Sequence, residues 1–562
     1  MFARLAALAA AVLSLAAPAT ARTTASAPSV YTVTPVMDAG ALQGLGVSLR
    51  FQGDADGVTD VMLPDRWSGA ENLHLAISDV RVAGGQLRPQ VRSMLRVTHA
   101  AGAEVEISYR VRQDFEGAPR AGPERPFRPV TQPDWFTAVG WTVFARVEGR
   151  DVEAARFAWG AAPEGWTLAS DLDHHDGRAM PTMELMDSVL AGGPRMRLIE
   201  RPMAGGKVRL AVHGDWSFDP AALTDIIGRV GEASAGFWGD RDEPFFVALT
   251  PIASDGGKVQ YGVGLGDAFS LWVTPNMEAE GLRHILAHEH QHTWFPDRLG
   301  GVRAGAAEPM DYWFSEGFAE FYTLRLLQRA GVTTPQEYAD DLNRILRRYA
   351  LSPARDLPNA QIAVGFWSEP SVADLPYQRG LLLALAWDAR LRAATDGRKG
   401  LDDVVKRMRD GRGLAPQRFR AAYRALGGGD LGDDYRRYVD GGQRVLLPED
   451  LFGPCAKIET REEPVFEGGF DIAATAASNG LVDGVDPTGP AYAAGLRNGM
   501  RIIDREGGAP GDATVEVVYR VQAEGAERTI RYQPAGRRTV AVQQVVLKTD
   551  AAASCAATLG GA

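Results

Sequence analysis

No apolar run in this sequence is long enough to be a permanent membrane span. A helical span needs about 20 consecutive apolar residues, and the stretches Leu5 to Ala17 and Leu381 to Trp387 fall well short. Surplus positive charge is also missing. The net charge of −11 argues against nucleic acid or an anionic lipid surface as a partner, because both are recognised by basic patches. Cysteine is scarce, with only Cys455 and Cys555 present. They bracket the carboxy-terminal part of the chain, and in an oxidising compartment they are expected to join as one disulfide. Hydrophobic and charged contents of 45% and 23% are those of ordinary globular protein.

The opening apolar run reads as an export signal. Arg4 precedes it, and Pro18 and Ala19-Thr20-Ala21 follow, a pattern for cleavage after Ala21. No cysteine lies near that point, so a lipid anchor is not expected, and the compartment is periplasmic or extracellular. The rest divides by pattern into a multidomain α+β chain. Residues 22–165 alternate apolar and polar, as in Val30 to Thr34, Gly46 to Phe51 and Val105 to Val111, and predict a β-sandwich-like domain. Residues 166–450 begin mixed, with strands at Val208 to Val212 and Phe245 to Leu249 and a helix over Pro220 to Phe237, and become mainly helical after 276. Gly453-Pro454 marks a linker. Residues 451–562 return to short strands and turns, including the stretch around Gly468 to Ile472, and end in a small-residue tail expected to be disordered apart from Cys555.

Four of the nine histidines fall between His284 and His292. His288-Glu289-His290-Gln291-His292 matches H-E-x-x-H, and residues four apart on a helix share a face. His288 and His292 can thus offer two imidazoles to one metal ion, with Glu289 beside them as general base for an attacking water. His284 and His288 have the same spacing but no glutamate between them in the second position. The helix is predicted over Pro275 to Thr293, with Asn276 as N-cap and Pro296 as its stop. His290 is expected to face away from the ligand side. A catalytic zinc needs a third protein ligand. Glu316, on an amphipathic helix, and Asp311, just ahead of it, are the candidates. Glu320 shares the face of Glu316 and reads either as a carboxylate orienting a ligand imidazole or as a solvated helix residue. Tyr377 is a candidate oxyanion donor, with a packed core tyrosine as the plainer reading. His174 and His175, with Asp171, Asp173 and Asp176 nearby, read as a solvated loop, and His74 and His99 as surface or packing residues.

These motifs resemble the gluzincin metallopeptidases, and most closely the glycyl aminopeptidase family. The resemblance rests on His288-Glu289-x-x-His292 with Thr293-Trp294, on Trp313-Phe314-Ser315-Glu316-Gly317-Phe318, and on Tyr377-Gln378-Arg379-Gly380. It implies a thermolysin-like catalytic domain over 166–450, one zinc ion, Glu316 as third ligand and Tyr377 as oxyanion donor. It also implies a PDZ-like carboxy-terminal domain, on Val485 to Ala491 and Ala494 to Ile502, whose groove would take a peptide carboxy end or extended segment as an added strand. The sequence departs from the family in three places. Phe295 and Pro296 follow Trp294, and Met500 stands where an acidic residue is common. A glutamate that grips the substrate's amino group is absent from Tyr261 to Asp267, leaving Asp267 as the only carboxylate there.

The expected activity is zinc-dependent hydrolysis of peptide bonds, aminopeptidase-like. The missing glutamate keeps an endopeptidase of the same fold in view. A protein of another class, retaining zinc without turnover and binding peptides through the PDZ-like domain, is the second alternative, disfavoured by the intact Glu289 and Tyr377.

Overall fold

The computed structural model describes residues 27–88, 92–121, 127–203, 206–239, 244–254, 257–295, 297–409, 411–508, 511–548 and 552–561. The export signal expected at 1–21 and the helix stop expected at Pro296 lie outside the described residues.

Strand alternation organises the first part of the chain. Ser29–Asp38 buries every other residue, pairs antiparallel with Ala41–Gln52 and parallel with Ala154–Trp159, and sits inside a six-stranded sheet. Tyr31, Val33, Leu49 and Ile107 point from it into one apolar core. A four-stranded sheet, Thr167–Ser170, Val189–Gly193, Trp135–Val139 and Val130–Gln132, carries this sheet-rich part on to residue 193. That sheet packs face to face on the next one through Val139, Val189 and Ala191 against Ala211, Phe246 and Ala248.

The next sheet has five strands in the order Arg197–Met203, Gly206–Val212, Phe245–Pro251, Ala268–Val273 and Gln260–Leu265. Its outer face is covered by helices α1 (Ala221–Trp238) and α2 (Arg283–Gln291) through Leu223, Ile227 and Leu286, with Leu282 from the turn before α2. Three layers result, and α2 lies along the antiparallel edge strand Gln260–Leu265.

Helices α3 (Tyr312–Arg329), α4 (Pro335–Leu351) and α5 (Leu375–Ala394) follow. The Thr334 hydroxyl and Glu337 carboxylate form the predicted capping box at α4. Leu401–Met408 and Ala415–Ala425 complete an aromatic-rich core around Trp313, Phe318, Trp387 and Phe419. Beyond it, Ala456–Phe466 pairs with Ala535–Leu547, and Arg501–Gly507, Val517–Ala523 and Ala526–Tyr532 form a three-stranded sheet with its own small core of Val482, Leu496, Val521 and Ile530. Among the described residues, no helix is long and apolar enough to cross a membrane.

Three local expectations are corrected. The metal-motif helix does not begin at Pro275: α2 starts at Arg283, after a single 3-10 turn at Glu280–Leu282, and Asn276 caps nothing. Backbone groups of 274–282 are bonded elsewhere. Ser217 donates to the carbonyls of Pro275 and Met277, and the local bonds are three-residue turns such as Gly281 N–H to Glu278. The stretch around Gly468 to Ile472, expected as short strands and turns, holds a bend and no strand, because Asp471 caps the helix Ile472–Ala477, accepting from Ala474 N–H at 2.8 Å. The tail is ordered: α6 (Ala552–Gly560) packs on α3, Cys555 is bonded to Cys455, and the Gly561 carbonyl accepts from Arg329 and Arg392.

Candidate metal centre

The site forms where α2, α3 and the first turn of α5 meet beside the edge strand. Two pairs of glycines allow this closeness. A Cβ on Gly264 would lie 2.7 Å from the Glu289 carbonyl oxygen and 2.9 Å from His292 Cβ, and one on Gly262 would lie 3.0 Å from Glu289 Oε1. The edge strand therefore reaches α2 only because it has no side chain at those positions. Gly317 and Gly380 likewise bring α3 and α5 into backbone contact, and Glu316 and Tyr377 flank that crossing.

His288 Nε2 and His292 Nε2 lie 3.3 and 3.5 Å from one carboxylate oxygen, Oε2 of Glu316. Each imidazole has an oxygen close to its other nitrogen. His292 Nδ1–H donates to the Phe295 carbonyl at 2.9 Å, and His288 Nδ1 sits 3.4 Å from Glu320 Oε1. Glu320 in turn holds His284 Nε2 at 2.8 Å through its other oxygen. Both Nε2 atoms face the point shared with Glu316. This donor set fits zinc: bonds of about 2.0–2.1 Å in a tetrahedron put neighbouring ligand atoms about 3.4 Å apart. Ligand atoms of His288, Glu289 and His292 all lie within 4.8 Å of one another.

The charges are set by burial and pairing. Burial pushes the Glu316 carboxyl up, but the charges of His292 and His288 and hydrogen bonds from His288 and Tyr377 outweigh it and hold it below the ordinary range. Glu320 is driven lower still, again against burial, by His284 and His288. Glu289 goes the other way. Burial raises it, and the charges of His292 and His288 and the Gly264 N–H offset this only in part. Its Oε2 stands 3.9 Å from His292 Nε2. The Tyr377 ring lies 5.7 Å from the His288 ring, and burial together with the charges of Glu316 and Glu289 holds its hydroxyl well above the usual phenol range, hence protonated.

The remaining candidates stand elsewhere. Asp311 accepts from Arg303 N–H at 2.8 Å and pairs with its guanidinium at 2.9 Å, at the start of α3. Asp267 sits at the turn leading out of the edge strand, where its charge acts on buried Asp171. His290 is stacked on Phe245 at 5.0 Å, on the sheet side of α2. His174 and His175 lie ring on ring at 3.9 Å, with His175 Nε2 bonded to Glu184. His74 is held by Asp65 and His99 by Thr59. Sequence reasoning passed over His284, although its four-residue spacing from His288 placed it on the ligand face.

A model of the M61 glycyl aminopeptidases matches residues 281–368, the segment that holds His284 through Glu320 and ends ahead of Tyr377. The chain resembles that family over this segment. Among solved structures, an aminopeptidase N family protein from Idiomarina loihiensis is similar over 95% of this chain and 99% of its own, with a TM-score of 0.65 and 16% identity. A zinc metallopeptidase of the M1 type from Deinococcus radiodurans is similar over 76% of this chain and 96% of its own, with a TM-score of 0.47 and 16% identity. The first of these likenesses is one of fold: a sheet-rich amino-terminal region followed by a helical domain. Comparison with curated proteins finds no match.

Proposed function

We propose that this chain is an exported zinc peptidase of aminopeptidase-like type, with His288, His292 and Glu316 holding one metal ion. The convergence of His288 Nε2 and His292 Nε2 on Glu316 Oε2, at 3.3 and 3.5 Å, carries this reading. Zinc held there supplies Lewis-acid chemistry that makes water nucleophilic near neutral pH. Glu289 takes the water proton on a carboxylate made more basic by burial, and passes it to the departing amine nitrogen. Tyr377 donates its O–H to the carbonyl oxygen as negative charge develops there. Glu320 keeps His288 in its ligating orientation through Nδ1.

The chain divides, in this reading, into a signal at 1–21, a β-rich domain at 22–165, a gluzincin-type catalytic domain at 166–450, and a PDZ-like module with its tail at 451–562. The three-stranded sheet with its small core supports the last, and an extended peptide end is the occupant proposed for its groove. The Cys455–Cys555 disulfide is compatible with export.

One observation favours a second specificity. The edge strand and its turn, Gln260 to Asp267, offer only Asp267 as an anchor for a substrate's amino group. Without an anchor, the same chemistry cuts internal bonds.

The test is a digestion time course of zinc-loaded protein on a mixed peptide library beside the Glu289→Gln variant, read by mass. Residues lost singly from amino ends support the aminopeptidase reading. Internal cuts establish an endopeptidase. Equal product from both proteins, with zinc bound, overturns the enzyme and leaves a peptide-binding protein.

A further inference from the structure

Beside the candidate metal cluster lies a cavity of about 300 Å³, walled by the start of α2, by α3 and α4, and by the first turn of α5. Glu320 and Tyr377, which stand against His288, also line the cavity, so the two adjoin. The far wall is charged: Asp341, Arg344 and Arg348 from α4, and Asp374 just ahead of α5.

The carboxylates of this wall are already matched. Glu320 is shared by His284 and His288. Asp341, only 6% exposed, accepts from Arg283 at 3.2 Å and from Arg344 at 2.6 Å. Asp374 is paired with Arg348. The two arginines are different. Their side chains are 64% and 59% exposed, and each is bonded to one carboxylate through one terminal nitrogen. A guanidinium has five N–H donors in a fixed fork. Arg344 and Arg348 stand one helical turn apart on the same face of α4, so two part-used forks look into one cavity. Two such forks fit a carboxylate or a phosphate, and of these an ordinary peptide carries the carboxylate.

We propose that Arg344 and Arg348 receive a carboxylate of the substrate, either its free carboxy end or an acidic side chain, on the departing side of the scissile bond. The inference rests on the peptidase reading for its direction along the peptide, but the receptor itself is a binding property of α4. It makes short peptides, or peptides with an acidic residue soon after the cut, the preferred substrates.

The experiment separates the receptor from the chemistry by measuring binding on zinc-loaded Glu289→Gln protein. Two pairs of probes are titrated calorimetrically: Ala-Ala-Ala against its carboxy-amide, and acetyl-Ala-Ala-Asp amide against acetyl-Ala-Ala-Asn amide. The charged member of at least one pair is expected to bind about tenfold tighter, as partly exposed charge-assisted hydrogen bonds allow. The pair that shows the preference tells which source of carboxylate is read. The preference should vanish in Arg344→Gln/Arg348→Gln and weaken as salt is raised. Equal affinities within both pairs, absence of binding, or a preference that survives both substitutions overturns the receptor. Cleavage by the unsubstituted protein is followed on the same probes. A carboxylate preference in binding without any cleavage removes the peptidase reading and keeps the receptor, whereas cleavage blind to the carboxylate does the reverse.

Discussion

Gly317 of α3 and Gly380 of α5 touch backbone to backbone. A Cβ on Gly317 would lie 2.4 Å from Gly380 Cα, and one on Gly380 would lie 1.9 Å from the Trp313 carbonyl oxygen. The neighbours are main-chain atoms, which have no rotamer to give. Glu316 precedes one glycine and Tyr377 lies a turn before the other, so this crossing sets the depth of both side chains. Gly317→Ala and Gly380→Ala are therefore expected to cost stability in the overpacking range, about 1–3 kcal/mol or more. Gly380→Ala should be the worse of the two. Thermal and urea unfolding measure the loss, and zinc affinity should fall with it.

Glu320 is expected to matter for metal more than its distance from the reacting bond suggests. Its two oxygens face His284 and His288, and only the second is a proposed ligand. Glu320→Gln should weaken zinc binding by about 10- to 100-fold, read by competition with a chromogenic chelator. Unchanged affinity would make it an ordinary buried carboxylate.

A pH dependence follows from Asp388 on α5. It is 7% exposed between Arg325 and Arg392, and accepts from Leu401 N–H at 2.7 Å. Burial pushes its carboxyl up, but the charges of Arg325 and Arg392 more than offset this and leave it below its ordinary value. A lowered folded pKa means that the contribution is complete above the unfolded value of about 3.9 and is lost as pH falls through the folded one. Asp388→Asn should cost about 3–5 kcal/mol at neutral pH, since it leaves buried guanidinium charge unmatched. The difference from the unsubstituted protein should shrink in urea titrations repeated below pH 4.

The disulfide closes a loop with a sequence separation of 100 residues. By chain-entropy reasoning such a loop contributes up to about 4.7 kcal/mol. Cys455→Ser/Cys555→Ser should lower the urea midpoint accordingly and open α6 to proteolysis, while the helices around Trp313 and Trp387 stay resistant. Resistance of α6 equal to that of the bridged protein would show that Arg329 and Arg392 hold it without help.

Much of the site was legible because it is local. Two histidines and a glutamate on one helical face, and a glutamate beside a glycine on the next amphipathic helix, are patterns of spacing that hold before any tertiary contact forms. The capping box at Thr334 and the strand alternation at Val30 to Thr34 are legible for the same reason. What escaped is what depends on partners distant in sequence. The helix expected from Pro275 loses its first two turns to Ser217, which takes two of its carbonyls. His284 looked superfluous until Glu320 arrived from α3. The tail, rich in small residues, carried no signal of order, because the arginines that hold its end lie on α3 and α5. The forks of Arg344 and Arg348 carry no signal in the sequence, and only the cavity beside them gives them a role.

The docking of α6 has a further consequence, in time. The contact between Arg329 at the end of α3 and the Gly561 carbonyl spans 232 residues. At roughly 5–20 residues per second of synthesis, the helix bearing Glu316 and Glu320 exists for roughly ten to fifty seconds before the segment that covers its far end has been made. During that interval the nascent chain already holds both histidines and both glutamates, with part of their support still missing. Helix α3 is thus among the elements whose packing is completed late, and a chain interrupted before α6 carries the whole motif on an unfinished scaffold.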